Sequence, residues 1–347
     1  MSRCKRGLVN TCAKKFRLII LHLPNFFNLL LDIMMKPLEG RPTLSLIFLF
    51  FAVLIFNTGL AQSDSVAVVN AKWQIIKVAP GIILKHCSFD SSLFHSNQNI
   101  SILKVKINGK NRADIGFDPH LLKPTHEYAV EKNAIAAMNG TFFNMKDGGS
   151  EDYIRSDGKT INETHFRPNG KRTFHQEAAI VINPKNVKIV RWDSTANWED
   201  HLKGEDVMVA GPLLIYHGKM MSWPNKKGFF ARNPRSVLGL HKKWLYLVAV
   251  DGRNNKAAGM SIDELTLLMH WLKLDNAINL DGGGSTTLWV KNYPYGGVVN
   301  HPSDNRKWMH SDAYKPGMDL DSLPADMNKW DHTGERRVAN AILIERK

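Results

Sequence analysis

The sequence predicts an α+β fold, with a large mixed β-sheet as its core, one βαβ unit and few helices. Most apolar runs in the 347-residue chain are four to eight residues long, which is the length of a strand. Helical periodicity is clear in one place, where apolar residues recur every three or four positions between Ile262 and Leu272. Just before that run, Ser261 and Glu264 form a capping box, the signature of a helix N-terminus.

Ten segments are predicted as strands because they are short, apolar and rich in β-branched residues. In chain order they are Gly81–Leu84, Ile100–Ile107, Ala134–Met138, Ala178–Ile182, Val187–Val190, Val207–Tyr216, Ser236–Leu240, Leu245–Val250, Ala277–Leu280 and Val338–Ile344.

Two helices and two long insertions complete the predicted organisation. The periodic segment predicts a helix over Ile262–Leu274, and a second helix is expected around His120–Asn133. Lys146–Lys171 and Asn305–Gly334 are polar and longer than ordinary connections. Insertions of that length favour functional loops or lids.

The N-terminal region reads as a secretory leader. Residues 44–56 are almost purely apolar, but a membrane span needs about 20 residues. Lys36 and Arg41 precede this stretch and Gly59-Leu60-Ala61 follows it, so we predict a signal peptide over about 35–61, cleaved near Ala61. An uncleaved N-terminal anchor is the alternative reading of this stretch. We interpret residues 1–34 as an over-extended start, with a genuine extended leader or a first membrane segment as the alternatives. A short segment, 62–78, and one domain, 79–347, follow.

Charge and cysteine content indicate which partners and which compartment to expect for the exported chain. The net charge is +14, of which residues 1–61 supply +6 and the remainder +8. No basic run, RNA-binding aromatic pattern or Cys/His finger accompanies that charge, so we expect no nucleic acid partner. Only Cys87 follows the leader, which leaves no internal disulfide and suits a bacterial periplasm or cell exterior. We therefore expect a secreted or periplasmic bacterial protein with no stable membrane anchor after cleavage.

The βαβ unit predicts where a ligand binds. Strand Leu245–Val250, the helix and strand Ala277–Leu280 form a crossover, which makes the two strands parallel. Parallel strands end at the same edge of a sheet, where ligands of such units bind. Asp251, Arg253 and Asp281 follow the strand ends directly and are expected on that edge.

The glycine run after the second strand adds to this prediction. Three successive glycines allow close approach of a ligand, and the amides of Gly282–Ser285 can form a nest for an anion such as phosphate. A tight turn is the alternative reading. Arg235, Arg253 and Arg336 are the candidate phosphate-binding cations, because a guanidinium donates two hydrogen bonds to one phosphate.

Other chemistries find less support. The chain has no phosphate-binding loop of the nucleotide triphosphatases and no complete nucleophile elbow at Ser285. The histidines lack zinc-ligand spacing, and His175, His270 and His332 are interpreted as surface or satisfied side chains. We predict no cofactor and leave a divalent cation requirement open. Trp223, Trp308 and Trp330 lie in polar surroundings and are candidates for stacking on sugars.

Six motifs, in order and spacing, resemble the phosphodiester glycosidase domain family. The resemblance runs from about Ala79 to the C-terminus and departs from the family pattern at Thr141, where a second glycine is usual. The Asn305–Gly334 insertion also means that substrate preference cannot be transferred. The motifs are Ala137–Phe143, Ala210–Leu214, Asn233–Gly239, Val250–Arg253, Asn279–Thr286 and Glu335–Ala341.

The resemblance implies hydrolysis of a sugar-1-phosphodiester to a free sugar and a phosphomonoester. Phosphate is a good leaving group, so the reaction needs stabilisation of the phosphate and one carboxylate more than it needs a strong acid. Asp281, Asp251 and Glu335 are the candidate carboxylates, and which of them acts is left open. The candidate substrate- and phosphate-binding residues are Asn139, Gly140, Asn144, Arg235, Arg253, Gly282, Gly283, Gly284, Ser285 and Arg336.

The expected partner is a phosphorylated glycan or sugar-phosphodiester. One alternative is a non-catalytic protein of the same fold that binds envelope or exopolysaccharide glycans. A serine hydrolase using Ser285 is a third reading, which the lack of an identifiable partner histidine disfavours.

Overall fold

The computed structural model describes residues 64–145, 148–223, 231–304 and 330–347. The predicted leader, Trp308 and most of the second insertion lie outside the described residues. In the described part, no helix combines the length and the apolar character needed to cross a membrane.

The largest sheet has eight strands, and every neighbouring pair in it is antiparallel. In spatial order its strands are β1 (Gln74–Ala79), β2 (Ile82–Leu93), β3 (Ser96–Lys106), β15 (Trp244–Val250), β14 (Arg235–His241), β16 (Asn276–Asn279), β12 (Leu213–Tyr216) and β13 (Lys219–Met220).

Three smaller sheets complete the β-structure. The five-stranded sheet contains β10 (Asn186–Arg191), β9 (Ala178–Asn183), β11 (Asp206–Ala210), β7 (Ile154–Ser156) and β8 (Lys159–Asn162). The four-stranded sheet contains β17 (Leu288–Val290), β6 (Ala136–Asn139), β19 (Asn340–Arg346) and β4 (Asn111–Phe117). The two-stranded sheet pairs β18 (Arg337–Val338) with β5 (Lys123–Pro124).

Helices are few and short. They are α1 (residues 64–69), α2 (Thr125–Glu131), α3 (Trp198–His201) and α4 (Ile262–Trp271). Single 3₁₀ turns occur at Phe174–Gln176, Gly283–Ser285 and Tyr295–Gly297.

The eight-stranded sheet buries both of its faces. On one face, apolar side chains of the three main sheets form a common core. It includes Leu247 of the eight-stranded sheet, Ile180 of the five-stranded sheet and Ile342 of the four-stranded sheet. On the other face, α4 packs its apolar stripe, including Leu265 and Leu268, against the large sheet. Burial on both faces explains why the central strands read as continuous apolar runs rather than alternating ones.

The structure confirms the α+β class, a β-rich chain with few helices. β15 and β16 do run parallel, but β14 lies between them and is antiparallel to both. The connection from β15 through α4 to β16 therefore passes over β14 and does not join neighbouring strands.

Several predicted boundaries move for local reasons. The run Val207–Tyr216 is divided between two sheets at Gly211-Pro212, where proline cannot donate to a ladder. The helix predicted to reach Leu274 ends at Trp271, because Lys273 adopts a left-handed conformation with φ of 60°. Part of the insertion Lys146–Lys171 forms strands β7 and β8. Within the segment predicted as 62–78, β1 pairs with β2 at the sheet edge.

We expect the capping box of α4 to be worth about 1 kcal/mol of folding free energy. Glu264 N donates to Ser261 Oγ at 3.1 Å, and Ser261 N donates to Glu264 Oε2 at 2.9 Å. Ser261→Ala removes the first bond, and urea unfolding should report a loss of about that size. The exposed Ser92→Ala is the matched control; equal unfolding free energies in the two variants would contradict the assignment.

Candidate active site

The predicted rim of the sheet exists and is built around the start of β14. In the strand register, Arg235 pairs with Val250 and Val237 pairs with Asn279. The first residue of β14 therefore lies beside the last residues of β15 and β16. This arrangement brings the segments that follow those two strands, beginning at Asp251 and Asp281, to one edge.

The three glycines allow backbone and charged groups to approach closely. A Cβ on Gly282 would lie 2.7 Å from the carbonyl oxygen of Pro234, and Gly283 has a φ of 59°. A Cβ on Gly284 would lie 2.2 Å from Asp304 Oδ2 and 2.3 Å from an Arg336 nitrogen. Since no other side chain fits these positions, the run is explained by close packing.

The glycine run is not the anion nest that the sequence suggested. Gly282 N donates to Asp281 Oδ1, Gly283 N donates to the Pro234 carbonyl and Ser285 N donates to the Gly282 carbonyl. Three of the four amides are thus engaged within the turn, and that prediction is wrong for them. The reason is physical: amide directions depend on the φ and ψ of each residue, which composition does not specify.

Two arginines lie together beside this turn. Arg235 Nε donates to the Met260 carbonyl at 2.8 Å, and its Nη2 donates to the Ala231 carbonyl at 3.0 Å. Burial and, to a smaller extent, the positive charge of Arg253 together lower the pKa of Arg235 to about 10. The Arg253 guanidinium would lie 3.0 Å from a Cβ on Gly283. Two neighbouring cations at one turn make a site for an anion.

Arg253 itself has a strained backbone, with a φ of 59°. A left-handed conformation in a long side-chain residue is uncommon and clusters at functional sites. Arg253 Nε also donates to Asn233 Oδ1 at 3.1 Å, which fixes the direction of its guanidinium.

The third arginine approaches from the other side of the turn. Arg336 Nε donates to Asp304 Oδ2 at 2.5 Å, and this half-buried ion pair packs directly on Gly284. Arg336 is also close enough to Asp281 to lower the pKa of its carboxyl. The predicted Arg235, Arg253 and Arg336 are therefore all brought to the Gly282–Gly284 turn.

Asp281 is the carboxylate that occupies the centre of this arrangement. Its side chain is half-buried, and its own amide donates to the Gly140 carbonyl at 3.0 Å. Burial raises the pKa of the Asp281 carboxyl to about 6, although Ser285, Arg336 and the Gly282 amide all act to lower it. A carboxyl with a raised pKa near a cation, here Arg336, has the properties of an acid–base group or a nucleophile.

The Asp251 carboxylate makes its contacts inside the protein. Its carboxylate is buried and accepts from Asn99 Nδ2 at 2.7 Å, from Asn300 Nδ2 at 3.2 Å and from His301 N at 2.9 Å. His301 Nδ1 lies 3.0 Å from its second oxygen. In this structure the buried Asp251 carboxylate orients His301, and its catalytic role stays a prediction.

His301 also lies in a stack of four rings. The ring of Trp330 stacks on that of His301 with 3.8 Å between the ring centroids, and the tilted ring of His332 has its centroid 4.3 Å from that of His301. Tyr295 stacks on His332 at 4.3 Å. The candidate sugar-stacking residue Trp330 therefore has one face covered by imidazole. Trp223 is corrected, since its indole donates to the Leu213 carbonyl and its ring packs on the core.

Asn139 and Gly140 lie beneath the site and hold it together. Asn139 is fully buried; its Nδ2 donates to the Asp281 carbonyl, and its Oδ1 accepts from Ser236 and the Thr287 amide. A Cβ on Gly140 would lie 2.0 Å from Asn340 Oδ1. Both were predicted to bind substrate; in this structure their polar groups bond inside the protein, and the binding role stays a prediction.

A second buried aspartate holds a second histidine on the Asn139 side of the site. Asp152 is fully buried, and His175 Nδ1 lies 2.8 Å from its Oδ2. Thr141 Oγ1 and Gln176 Nε2 also donate to the Asp152 carboxylate. The threonine that departs from the family pattern thus has a defined partner. His175 is held in place, as expected for a satisfied side chain, but by a carboxylate that the sequence analysis did not identify.

The remaining predicted residues lie elsewhere or carry other contacts. Glu335 Oε1 lies 2.8 Å from His126 Nδ1, and its Oε2 accepts from the His126 amide at the start of α2. Its carboxylate therefore binds the first turn of α2, and its catalytic role stays a prediction. Asn144 is half-buried in the loop after β6, where its amide donates to the Gly149 carbonyl.

Hydroxyl groups line the segment behind the glycine turn. Thr286 and Thr287 are buried, and their hydroxyl oxygens have no hydrogen-bond partner among the described residues. Ser285 is buried as well and helps to lower the pKa of Asp281. Within the described ranges, no three His, Cys, Asp or Glu side chains are grouped so that they could hold a metal ion.

Sequence reasoning missed His301, Asp152, Asp304 and Asn99. Asp304 and His301 had one available signal, a polar stretch directly after β17 that returns to the same rim. Asp152 and Asn99 had none, since their partners lie 23 and 152 positions away along the chain.

The chain is similar in sequence to a family of known proteins. The family model for phosphodiester glycosidases matches residues 132–314. Mouse N-acetylglucosamine-1-phosphodiester alpha-N-acetylglucosaminidase is 25% identical over 186 residues, or 51% of this chain and 35% of the mouse protein. The chain therefore spans about a third of the length of this curated relative.

Two solved structures share the fold. The catalytic domain of the zebrafish N-acetylglucosamine-1-phosphodiester alpha-N-acetylglucosaminidase is 19% identical, with a TM-score of 0.55, over 80% of this chain and 88% of that one. A hypothetical protein from Synechocystis is 14% identical, with a TM-score of 0.53, over 79% of this chain and 64% of that one. At these identities the likeness is one of fold.

The raised pKa of Asp281 predicts that its charge destabilises the fold. The folded state binds the proton more tightly than the unfolded state, so stability is lost as the pH rises from about 4 to about 6. Asp281→Asn should therefore be more stable than the wild type at pH 7.5 by about 1–2 kcal/mol, less than the full shift because the residue keeps some exposure to solvent. At pH 4 the two proteins should be equal.

Urea unfolding at the two pH values measures this difference. Asp90→Asn, at an exposed position, is the control that changes the same charge on the surface. If the difference in unfolding free energy between Asp281→Asn and the wild type is the same at pH 7.5 and at pH 4, burial does not disfavour the ionised Asp281 carboxylate.

Proposed function

Because the chain belongs to the phosphodiester glycosidase family, we propose that it hydrolyses the glycosidic bond of a sugar-1-phosphodiester and releases a free sugar and a phosphomonoester. The observation that carries this proposal is Asp281, a partly buried carboxylate with a raised pKa, directly before the Gly282–Gly284 turn on which Arg235, Arg253 and Arg336 converge. A reaction at a sugar carbon attached to phosphate needs this combination of groups.

The arginines act on the phosphate. When the bond between C1 and the phosphate oxygen breaks, its electron pair stays on that oxygen and negative charge increases there. Arg235, Arg253 and Arg336 stabilise this charge, and they do so from positions already fixed by carbonyl, Asn233 and Asp304 contacts. Cations held in place in this way need little rearrangement during the reaction.

Asp281 supplies the carboxylate at C1. With a pKa of about 6 it is largely ionised at neutral pH and still basic enough to take a proton. It either attacks C1 directly or removes a proton from the water that attacks. In both cases water provides the new hydroxyl on the sugar.

We further propose that the protein works outside the cytoplasm of a bacterium. The apolar stretch 44–56 with its basic flank supports export, as does the single cysteine that follows it. Phosphate-linked glycans of the cell envelope would then be accessible to it.

The direct test is release of free sugar from a GlcNAc-1-phosphodiester by the purified protein. Asp281→Asn should lower kcat by about 10³-fold, since it removes the reacting carboxylate without changing the shape of the side chain. Arg235→Met should lower kcat/KM by about 100-fold through loss of one cation at the phosphate. Asp90→Asn and Arg191→Met, both exposed, are the matched controls.

Two results would overturn the proposal. Full activity in Asp281→Asn and Arg235→Met would remove the assigned site. No sugar release by the wild type, together with micromolar binding of the intact diester, would instead identify a glycan-binding protein of this fold.

The pH dependence of the rate follows from Asp281. Because the ionised form reacts, kcat/KM should fall about tenfold per pH unit below a pKa near 6. The measurement is a pH–rate profile between pH 4 and 8, with the fold monitored by circular dichroism at each pH. A rate that is flat across pH 6 would exclude Asp281 as the base or nucleophile.

A further inference from the structure

A second cationic site lies at the opposite end of the large sheet from Asp281. It is a cavity of about 380 Å³, formed where the β14–β15 turn, the β9–β10 turn and the segment after β3 come together. We refer to it as the basic cavity and define it by Lys106, Lys185, Lys242, Lys243 and Trp244.

The charge of the basic cavity is not neutralised by its surroundings. No Asp or Glu lines it, and among the described residues none of its four lysines makes an ion pair or a side-chain hydrogen bond. Asp275, next to the turn, accepts from the Lys242 backbone amide and faces His241. Asp275 supplies one negative charge beside four lysines, so a net positive charge remains that a bound anion would reduce.

Lysines without an ion pair are common among the described residues, where Lys123 pairs with Asp118 and Glu131 and Lys132 pairs with Asp114. The basic cavity differs because four such lysines line one concave site that has no carboxylate in its lining. The cavity therefore concentrates positive charge in one place.

The floor of the basic cavity is apolar and aromatic. Val187 and Leu245 are buried there, and the half-buried Trp244 ring is contacted by Lys104 Nζ at 4.3 Å. A cationic rim over an apolar floor fits a ligand with an anionic group and a less polar ring face. A sugar that carries a phosphate has both.

The basic cavity is too far from Asp281 to hold the same sugar. His241 and Trp244 pair at the cavity end of the β14–β15 hairpin, and Arg235 and Val250 pair at the other. Six residues of strand separate the two ends, which is about 20 Å. A ligand that occupies both places must be a polymer.

We propose that the basic cavity binds a phosphate-bearing sugar unit of an anionic polymer at a distance from the bond that Asp281 acts on. The identity of the polymer as the substrate rests on the proposed function. The anion site itself rests on the lysines and the cavity they line.

Binding is measured first, with turnover removed by Asp281→Asn. The probe is a polymer of sugar-1-phosphate repeats, titrated by calorimetry at low and physiological salt. Lys185→Gln/Lys243→Gln should weaken binding about tenfold and reduce its salt dependence. Lys72→Gln/Lys219→Gln, at two exposed lysines elsewhere, is the matched control and should bind as the parent does.

The reaction is measured second, in the protein with Asp281 intact. The cavity variant should raise KM for the polymer about tenfold and leave kcat/KM for a small sugar-1-phosphodiester unchanged. Failure of the small diester to react at all would contradict the proposed function, while lysine-dependent polymer binding would still support the cavity.

Three results would overturn the cavity assignment. One is equal polymer affinity in the cavity variant and the lysine control. Another is equal, lysine-dependent affinity for single-stranded DNA or inorganic polyphosphate, which would show a general polyanion site without preference for sugar. The third is equal binding of an uncharged polysaccharide.

Discussion

The site depends on a backbone without side chains at Gly282–Gly284. Because no Cβ is present, the Pro234 carbonyl, the Arg253 guanidinium and the Arg336–Asp304 pair all pack within contact distance of three consecutive residues. The neighbouring groups are fixed by the fold as well: Arg235 donates to the Met260 carbonyl just before α4, and Asn139, the last residue of β6, donates to the Asp281 carbonyl at the turn. The strands of the large sheet thus converge on a charge arrangement that any larger residue would separate.

Concentrating charge there works against folding, and the rest of the molecule compensates. Burial disfavours the ionised Asp281 and the protonated Arg235, as the directions of their pKa shifts show. The apolar core between the sheets and the stripe of α4 supply the opposing stability. The pairs Asp251–His301 and Asp152–His175 are similar: in each, a buried carboxylate holds an imidazole in one orientation. A loss of stability at a site is the common result of arranging it for chemistry.

Sequence reasoning was accurate where the chemistry follows from local order. The strand ends before Asp251 and Asp281 and the crossover helix between them were sufficient to place both at one rim, together with Arg235 and Arg253. It failed where a polar residue could face either way. Asn139 and Glu335 read as ligands but bind the protein itself, and nothing in the chain near Asp152 indicates that His175 will meet it. Orientation and long-range pairing depend on the assembled sheets, which residue type alone does not specify.

The residues on either side of the segment 305–329 are both tied to the site. Asp304 holds Arg336 against Gly284, and Trp330 lies flat on His301. Changing the number of residues between two fixed points of a chain costs little loop entropy. The contacts of Asp304 and Trp330 are made with residues outside the segment, so an exchange of residues 305–329 keeps both contact partners in the sequence. The same junctions are natural points at which to graft a segment from a relative and transfer its preference for a different glycan.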